Sequence, residues 1–95
     1  MNAALHPQPD LATATPRLNR LFRLQHEAAQ QAWVLLYPEG MVKLNDSAAA
    51  ILQRCDGTRT VALLVDELQQ AFGVEGIALE VQHFVAHAYE RGWLA

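Results

Sequence analysis

Basic residues, cysteine and glycine are all scarce in this 95-residue chain, and each shortage closes off a class of function. Seven Lys and Arg stand against ten Asp and Glu, a formal net charge of −3, so no positive field draws in a phosphate backbone. One cysteine, Cys55, cannot form an internal disulfide, which removes the disulfide-scaffold class and fits a reducing cytoplasm. Five glycines are too few and too scattered for a phosphate-cradling loop. No apolar run approaches the roughly 20 residues that cross a bilayer. The opening MNAALHPQPD lacks the basic and apolar regions of a secretion signal. What the chain does have is apolar content, 52% against 18% charged. That suits one small domain with one core, since domains usually take roughly 100–200 residues and this size buries only about 60–65% of its unfolded surface.

Pro7, Pro9 and Pro16 lie among Ala, Thr, Gln and Asn, so residues 1–16 read as a flexible N-terminal tail, with order beginning near Arg17 and a single domain over 17–95. Leu21-Phe-Arg-Leu-Gln-His26 roughly alternates apolar and polar residues, as a half-buried strand does. Trp33-Val-Leu-Leu-Tyr37 is an aromatic and β-branched run that reads as a second strand, and Met41-Val-Lys-Leu44 as a third. Gln30 and Gln31 are poor turn formers, so the first connection is looser than a two-residue hairpin, whereas Pro38-Glu39-Gly40 carries turn chemistry. Helical signals begin at Asn45-Asp46-Ser47, any of which can cap the run Ala48–Gln53. Thr58 or Thr60 can cap a second helix, Val61 to about Phe72, whose apolar positions 61, 64, 65, 68 and 72 keep helical spacing up to Gly73. A third runs from about Ile77 to Arg91 with Ile77, Val81, Phe84, Val85 and Ala88 on one face, and Gly92 lets Trp93-Leu94 fold back. Three strands followed by three helices predict an α+β, winged-helix-like domain with a three-stranded antiparallel sheet covered on one face.

Catalytic and metal constellations are thin. His83 and His87 have a chelating i, i+4 spacing, yet no third or fourth ligand stands nearby in sequence. Cys55 sits at a helix end, without a histidine neighbour to activate it. Asp66 and Glu67 are adjacent and therefore diverge on a helix surface. A winged helix can read DNA, but residues 60–90 contain no Lys or Arg while Asp66, Glu67, Glu75, Glu80 and Glu90 lie there, so these helices repel a phosphate backbone. What remains is a surface for another chain. If Met41–Leu44 is a sheet edge, its unpaired amides and carbonyls can take an extended peptide, with a neighbouring helix as groove wall. Lys43, Arg20 and Arg23 can pair with an acidic segment. An exposed edge also allows a dimer, so monomer and homodimer both stand.

The run Val34-Leu-Leu-Tyr-Pro-Glu-Gly-Met-Val-Lys-Leu-Asn45 closely resembles the PqqD family, coenzyme PQQ (pyrroloquinoline quinone) synthesis protein D. The likeness continues through Asp46-Ser-Ala-Ala-Ala-Ile-Leu-Gln-Arg54, Asp56-Gly57, the Val61–Phe72 segment and Arg91-Gly92-Trp93-Leu94, and Pro16-Arg17-Leu18 and Phe22-Arg-Leu-Gln25 resemble the family's opening. His26 stands where relatives often carry an aromatic residue, and residues 83–87 look less typical. The resemblance implies a non-catalytic adaptor without a cofactor, a peptide-recognition domain for ribosomally made, modified peptides. It implies two partners: the precursor peptide PqqA, and the radical S-adenosylmethionine (SAM) enzyme PqqE, which joins a glutamate and a tyrosine of that peptide by a carbon–carbon bond. It places the peptide beside the third strand, at Met41, Val42, Lys43 and Leu44, with Val81, Phe84, Val85 and Ala88 of the last helix as groove-wall candidates, some of which must serve the core.

Overall fold

A computed structural model describes residues 8–95. In chain order these form β1 (Arg23–Glu27), β2 (Ala32–Tyr37), β3 (Gly40–Lys43), α1 (Asp46–Leu52), α2 (Val61–Phe72) and α3 (Ala78–Glu90). The sheet is antiparallel in the order β1-β2-β3, so the α+β expectation holds and both outer strands are edges. β1 starts at Arg23 rather than Leu21. The Asn19 side chain accepts from the Leu21 amide at 3.0 Å and the Asn19 carbonyl from Phe22 at 2.9 Å, which holds Leu21 in a turn. The β1–β2 loop is loose, as Gln30-Gln31 suggested. It takes four residues, 28–31, and ends with Gln31 in the left-handed region, φ 51°. The β2–β3 turn is tight, with Tyr37 paired to Gly40 around Pro38-Glu39. Pro38, with φ fixed near −65°, excludes the primed turns usual in two-residue hairpins.

Register decides which side chains meet the helices. Leu35 lies between Leu24 on β1 and Val42 on β3, and with Trp33 and Leu44 these residues share the helix-facing side. Leu35 and Leu44 are buried in the core and Leu24, Trp33 and Val42 pack against it. Arg23, Gln25, Val34, Leu36, Met41 and Lys43 point to the opposite face.

Asn45 starts α1 by accepting from the Ala48 amide at 2.8 Å. All of Ala48–Leu52 are buried, so α1 is wedged into the core. Thr60 caps α2, accepting from Leu63 at 3.2 Å, and Gly73 ends it in the left-handed region at φ 63°. Val61, Leu64 and Leu68 form the buried stripe of α2, and Val81, Val85 and Ala88 that of α3. Each fully buried Val or Leu contributes about 1.5–3 kcal/mol relative to exposure. Phe72 departs from the spacing-based expectation. It continues the α2 stripe in sequence yet is 59% exposed, with Arg54 over its ring at 5.9 Å from the centroid. After Gly92, the Trp93 amide donates to the Ala88 carbonyl at 2.8 Å and Leu94 is buried, so the chain folds back as its sequence suggested.

Within the stretch expected as a tail, Gln8, Asp10, Ala12, Thr13 and Thr15 are exposed, while two residues reach the domain. Asp10 organises a turn through Thr13 and Ala14, Leu11 packs against the core, and Pro16 is fully buried with its carbonyl accepting from Gly57 at 3.0 Å. A buried proline carbonyl needs such a donor, and Gly57 supplies it from the α1–α2 loop. Residues 1–7 of that expected tail lie outside the described residues. Arg17 and Ala95 exchange backbone hydrogen bonds at 3.3 and 2.8 Å, joining the two ends of the fold. No described helix is long and apolar enough to cross a membrane.

Candidate functional site

The open edge of β3 is the first component. The Leu44 amide donates to the Trp33 carbonyl at 2.9 Å, and the register pairs Val42 with Leu35 and Met41 with Leu36. Antiparallel ladders alternate between bonded and non-bonded pairs. Leu44 and Val42 therefore spend their backbone groups on β2, while the N–H and C=O of Met41 and Lys43 face away from the sheet. Among the described residues no strand pairs with that side of β3. Met41 is 48% exposed, Lys43 is exposed, and Val42 is half-buried on the helix side.

The second component is a cleft of about 570 Å³ that opens where β3 passes into α1. α1 supplies Asp46, Ala48 and Ile51, α2 supplies Leu68 and Phe72, and Ile77 at the entry to α3 and Glu80, Val81 and Phe84 within it complete the wall. It exists because α1, seven residues and about 10 Å long, is shorter than α2, twelve residues and about 18 Å. The last turn of α2 and the first turns of α3 are left without a full covering neighbour, and Phe72 and Val74 stay exposed at the mouth, 59% and 41%. Asp46 and Glu80 are the ionisable side chains on the lining, and both are acidic.

The residues expected at a peptide now divide. Met41 and Lys43 carry the free edge, Val42 lies beneath it, and Phe84 and Val81 line the cleft. Leu44, Val85 and Ala88, 7%, 0% and 0% exposed, lie within the core and off the cleft lining, so Val85 and Ala88 are among the α3 candidates that serve the core. The reason is geometric: the α3 stripe that reads as one face packs mainly on α2, and only its N-terminal half overhangs the cleft. Asp46, Leu68, Phe72, Val74, Ile77 and Glu80 were not singled out for binding from sequence. The signal for them was the mismatch between a seven-residue α1 and a twelve-residue α2.

The remaining candidates resolve individually. Burial pushes the Cys55 thiol up to about 12, reinforced by the Asp56 charge and opposed by Arg59, and its Sγ sits 3.3 Å from the Ile51 carbonyl. A thiol so protonated is a poor nucleophile. His83 and His87 are both exposed. His87 stands edge-on to Trp93 at 5.8 Å and accepts from Arg91 Nε at 3.3 Å. Among the described residues no group of three or more His, Cys, Asp or Glu is placed to hold a metal. Glu67 is drawn into a pair with Arg59 at 2.8 Å, and Arg59 also reaches Asp56 at 3.0 Å. Hydrogen bonds from the Thr58 hydroxyl and amide, with Arg59 beside them, hold the Asp56 carboxyl below its usual range. Arg20 and Arg23 are exposed and away from the cleft. The His26 ring stands edge-on to Trp33, with centroids 5.4 Å apart.

Comparison with known proteins places these features in a family. Residues 32–94 match the family described as coenzyme PQQ synthesis protein D (PqqD). The chain is 54% identical over 80 residues to a PqqA binding protein of Azotobacter vinelandii, covering 83% of this chain and 87% of that one. It is 51% identical over 83 residues to a PqqA binding protein of Stutzerimonas stutzeri, covering 86% and 90%. A solution structure of the PqqD truncation of Methylobacterium extorquens PqqCD, described as a functional, stand-alone recognition element for ribosomally synthesized and post-translationally modified peptides, superposes with a TM-score of 0.77 at 28% identity, over 95% of this chain and 98% of that one. A crystal structure of PqqD from Xanthomonas campestris gives 0.56 at 33% identity, over 87% and 94%.

Proposed function

This chain belongs to the PqqD family, and from that premise we propose that it is a non-catalytic adaptor in pyrroloquinoline quinone biosynthesis that binds the precursor peptide PqqA and presents it to the radical SAM enzyme PqqE. The observation that carries the reading is the free edge of β3, with the N–H and C=O of Met41 and Lys43 directed outward beside an apolar cleft. An extended peptide can add there as a fourth strand, taking affinity from backbone pairing and specificity from alternate side chains that enter the cleft. β1 also has an open edge, but the cleft lining begins at Asn45, two residues beyond the end of β3, and includes no residue from β1 or the loops that flank it.

The mechanism is tethering. Holding one part of PqqA on the adaptor raises the effective concentration of its reactive glutamate and tyrosine at PqqE, with no new chemistry on this chain. The iron–sulfur and radical steps belong to the enzyme. The adaptor's contribution is positional, so its residues need hydrogen-bonding edges and pockets rather than an acid, base or nucleophile.

Calorimetry with synthetic PqqA, with and without PqqE, tests the reading. Saturable one-to-one binding, kept or tightened when PqqE is present, is the expected result. Absence of binding by folded protein in both titrations overturns it.

A further inference from the structure

We infer that the cleft between α1, α2 and α3 selects a cationic stretch of peptide, one bulky apolar side chain with a Lys or Arg beside it. The inference rests on the reading that this chain binds a peptide, and adds which part of a peptide the cleft accepts. Volume comes first: about 570 Å³ lies within the roughly 300–1,000 Å³ typical of ligand sites, enough for large side chains. The floor is apolar, formed by Ile51, Leu68 and Val81, with Phe72 and Phe84 as walls. Removing an apolar side chain from water into such a site is favourable in proportion to the area covered.

Charge chooses the neighbour of that side chain. The rim holds Asp46 from α1 and Glu80 from α3, both exposed, and neither has an ion-pair partner among the described residues. Arg54, which touches Phe72 on the lining, and Lys43, just before α1, are otherwise engaged or directed. Arg54 donates to the Ala50 carbonyl at 2.9 Å, approaches Glu67 at 3.9 Å and lies over the Phe72 ring. Lys43 projects from the opposite face of the sheet. Residues 60–90 contribute no Lys or Arg to α2, α3 or the loop between them. A peptide with an acidic residue at this point meets two like charges, and one with Lys or Arg meets two opposite ones, so the rim supplies discrimination as well as attraction. Lys43 and Arg23 on the far face cannot fill this role, and the acidic-segment pairing expected for them from sequence lies outside the cleft.

The test uses the full chain and synthetic PqqA encoded with it. Asp46→Lys plus Glu80→Lys should weaken binding by about tenfold at low salt and flatten its salt dependence. Asp46→Asn plus Glu80→Gln, which spares the helices a charge reversal, should give a smaller loss in the same direction. Glu90→Lys, half of that charge change placed at the far end of α3, serves as control and should bind like wild type. PqqA with every Lys and Arg replaced by Gln should bind wild type more weakly and the doubly reversed variant more tightly than native PqqA does. Unchanged or tighter binding by the folded, doubly reversed protein overturns the inference while leaving the adaptor reading intact. Failure of wild type to bind PqqA removes both.

Discussion

Two neighbouring residues of β3 should respond oppositely to proline, because their amides face opposite ways. Val42 is the intuitive choice for disrupting strand addition, yet its N–H belongs to the bonded pair with Leu35 inside the sheet. Val42→Pro therefore removes an internal ladder bond and leaves a Leu35 carbonyl unpaired. That costs about 1–3 kcal/mol, a fall in Tm of roughly 4–24 °C at about 4–8 °C per kcal/mol for a domain this size. The Lys43 amide has no partner among the described residues, so Lys43→Pro removes no hydrogen bond of the sheet. Its predecessor Val42 is already extended, as a residue before proline must be. With peptide bound, the same substitution deletes one N–H···O bond and leaves a peptide carbonyl unpaired, together about 1.5–3 kcal/mol. Kd should rise by about 10- to 100-fold. Lys43→Ala controls for the side chain and should retain most of the affinity. Thermal melts by circular dichroism and calorimetry with PqqA separate the two effects. The reasoning is refuted if folded Lys43→Pro binds as tightly as Lys43→Ala, or if Val42→Pro melts at the wild-type temperature.

Three further outcomes follow from the packing. Val85 is fully buried on α3, so Val85→Ala should lower stability by about 1–3 kcal/mol in urea melts, with PqqA affinity unchanged at temperatures where the protein is folded. Asn45→Ala removes the amide acceptor at the start of α1 and should cost about 1 kcal/mol, with hydrogen exchange accelerating first in Ala48 and Ala49. Cys55 should resist alkylation at pH 8 in the folded protein and react on denaturation. Its thiol is raised from 9.0 to about 12, so the folded state holds a proton that the unfolded state releases. The stability this contributes is complete below pH 9 and is lost as pH rises toward 12, which alkaline melts of wild type against Cys55→Ala should show.

Much of the fold was legible from the chain because local signals agreed with one another. Thr60, Gly73 and the apolar spacing of α2 all point to Val61–Phe72, and the helix occupies those residues. The strands were readable from β-branched and aromatic runs, but their ends were not. Leu21 has strand character and is held in a turn by Asn19, a side-chain contact that alternation cannot reveal. The proline-bearing stretch before Arg17 reads as loose on composition, yet Pro16 is buried because the α1–α2 loop and the end of the chain converge on it. That meeting is tertiary and leaves no periodic trace.

The site was half legible. Strand three and α3 could be named, but separating groove from core requires knowing which neighbour covers each turn. Val85 and Ala88 look identical to Val81 on a helical wheel. Only the first helical turns of α3 extend beyond α1, so Val81 reaches the cleft and the other two do not. The direction of the β3 amides was likewise hidden, since a shift of one residue in register exchanges Met41 and Lys43 with Val42 and Leu44.

Amide hydrogen exchange on β3, measured residue by residue with and without saturating PqqA, tests strand addition most directly. In the free protein Val42 and Leu44 should exchange slowly, and Met41 and Lys43 fast. With PqqA bound, Met41 and Lys43 should join the slow set while Leu24 and His26 on the other sheet edge stay fast. Fast exchange at Met41 and Lys43 in the saturated complex, or new protection confined to β1, contradicts the account.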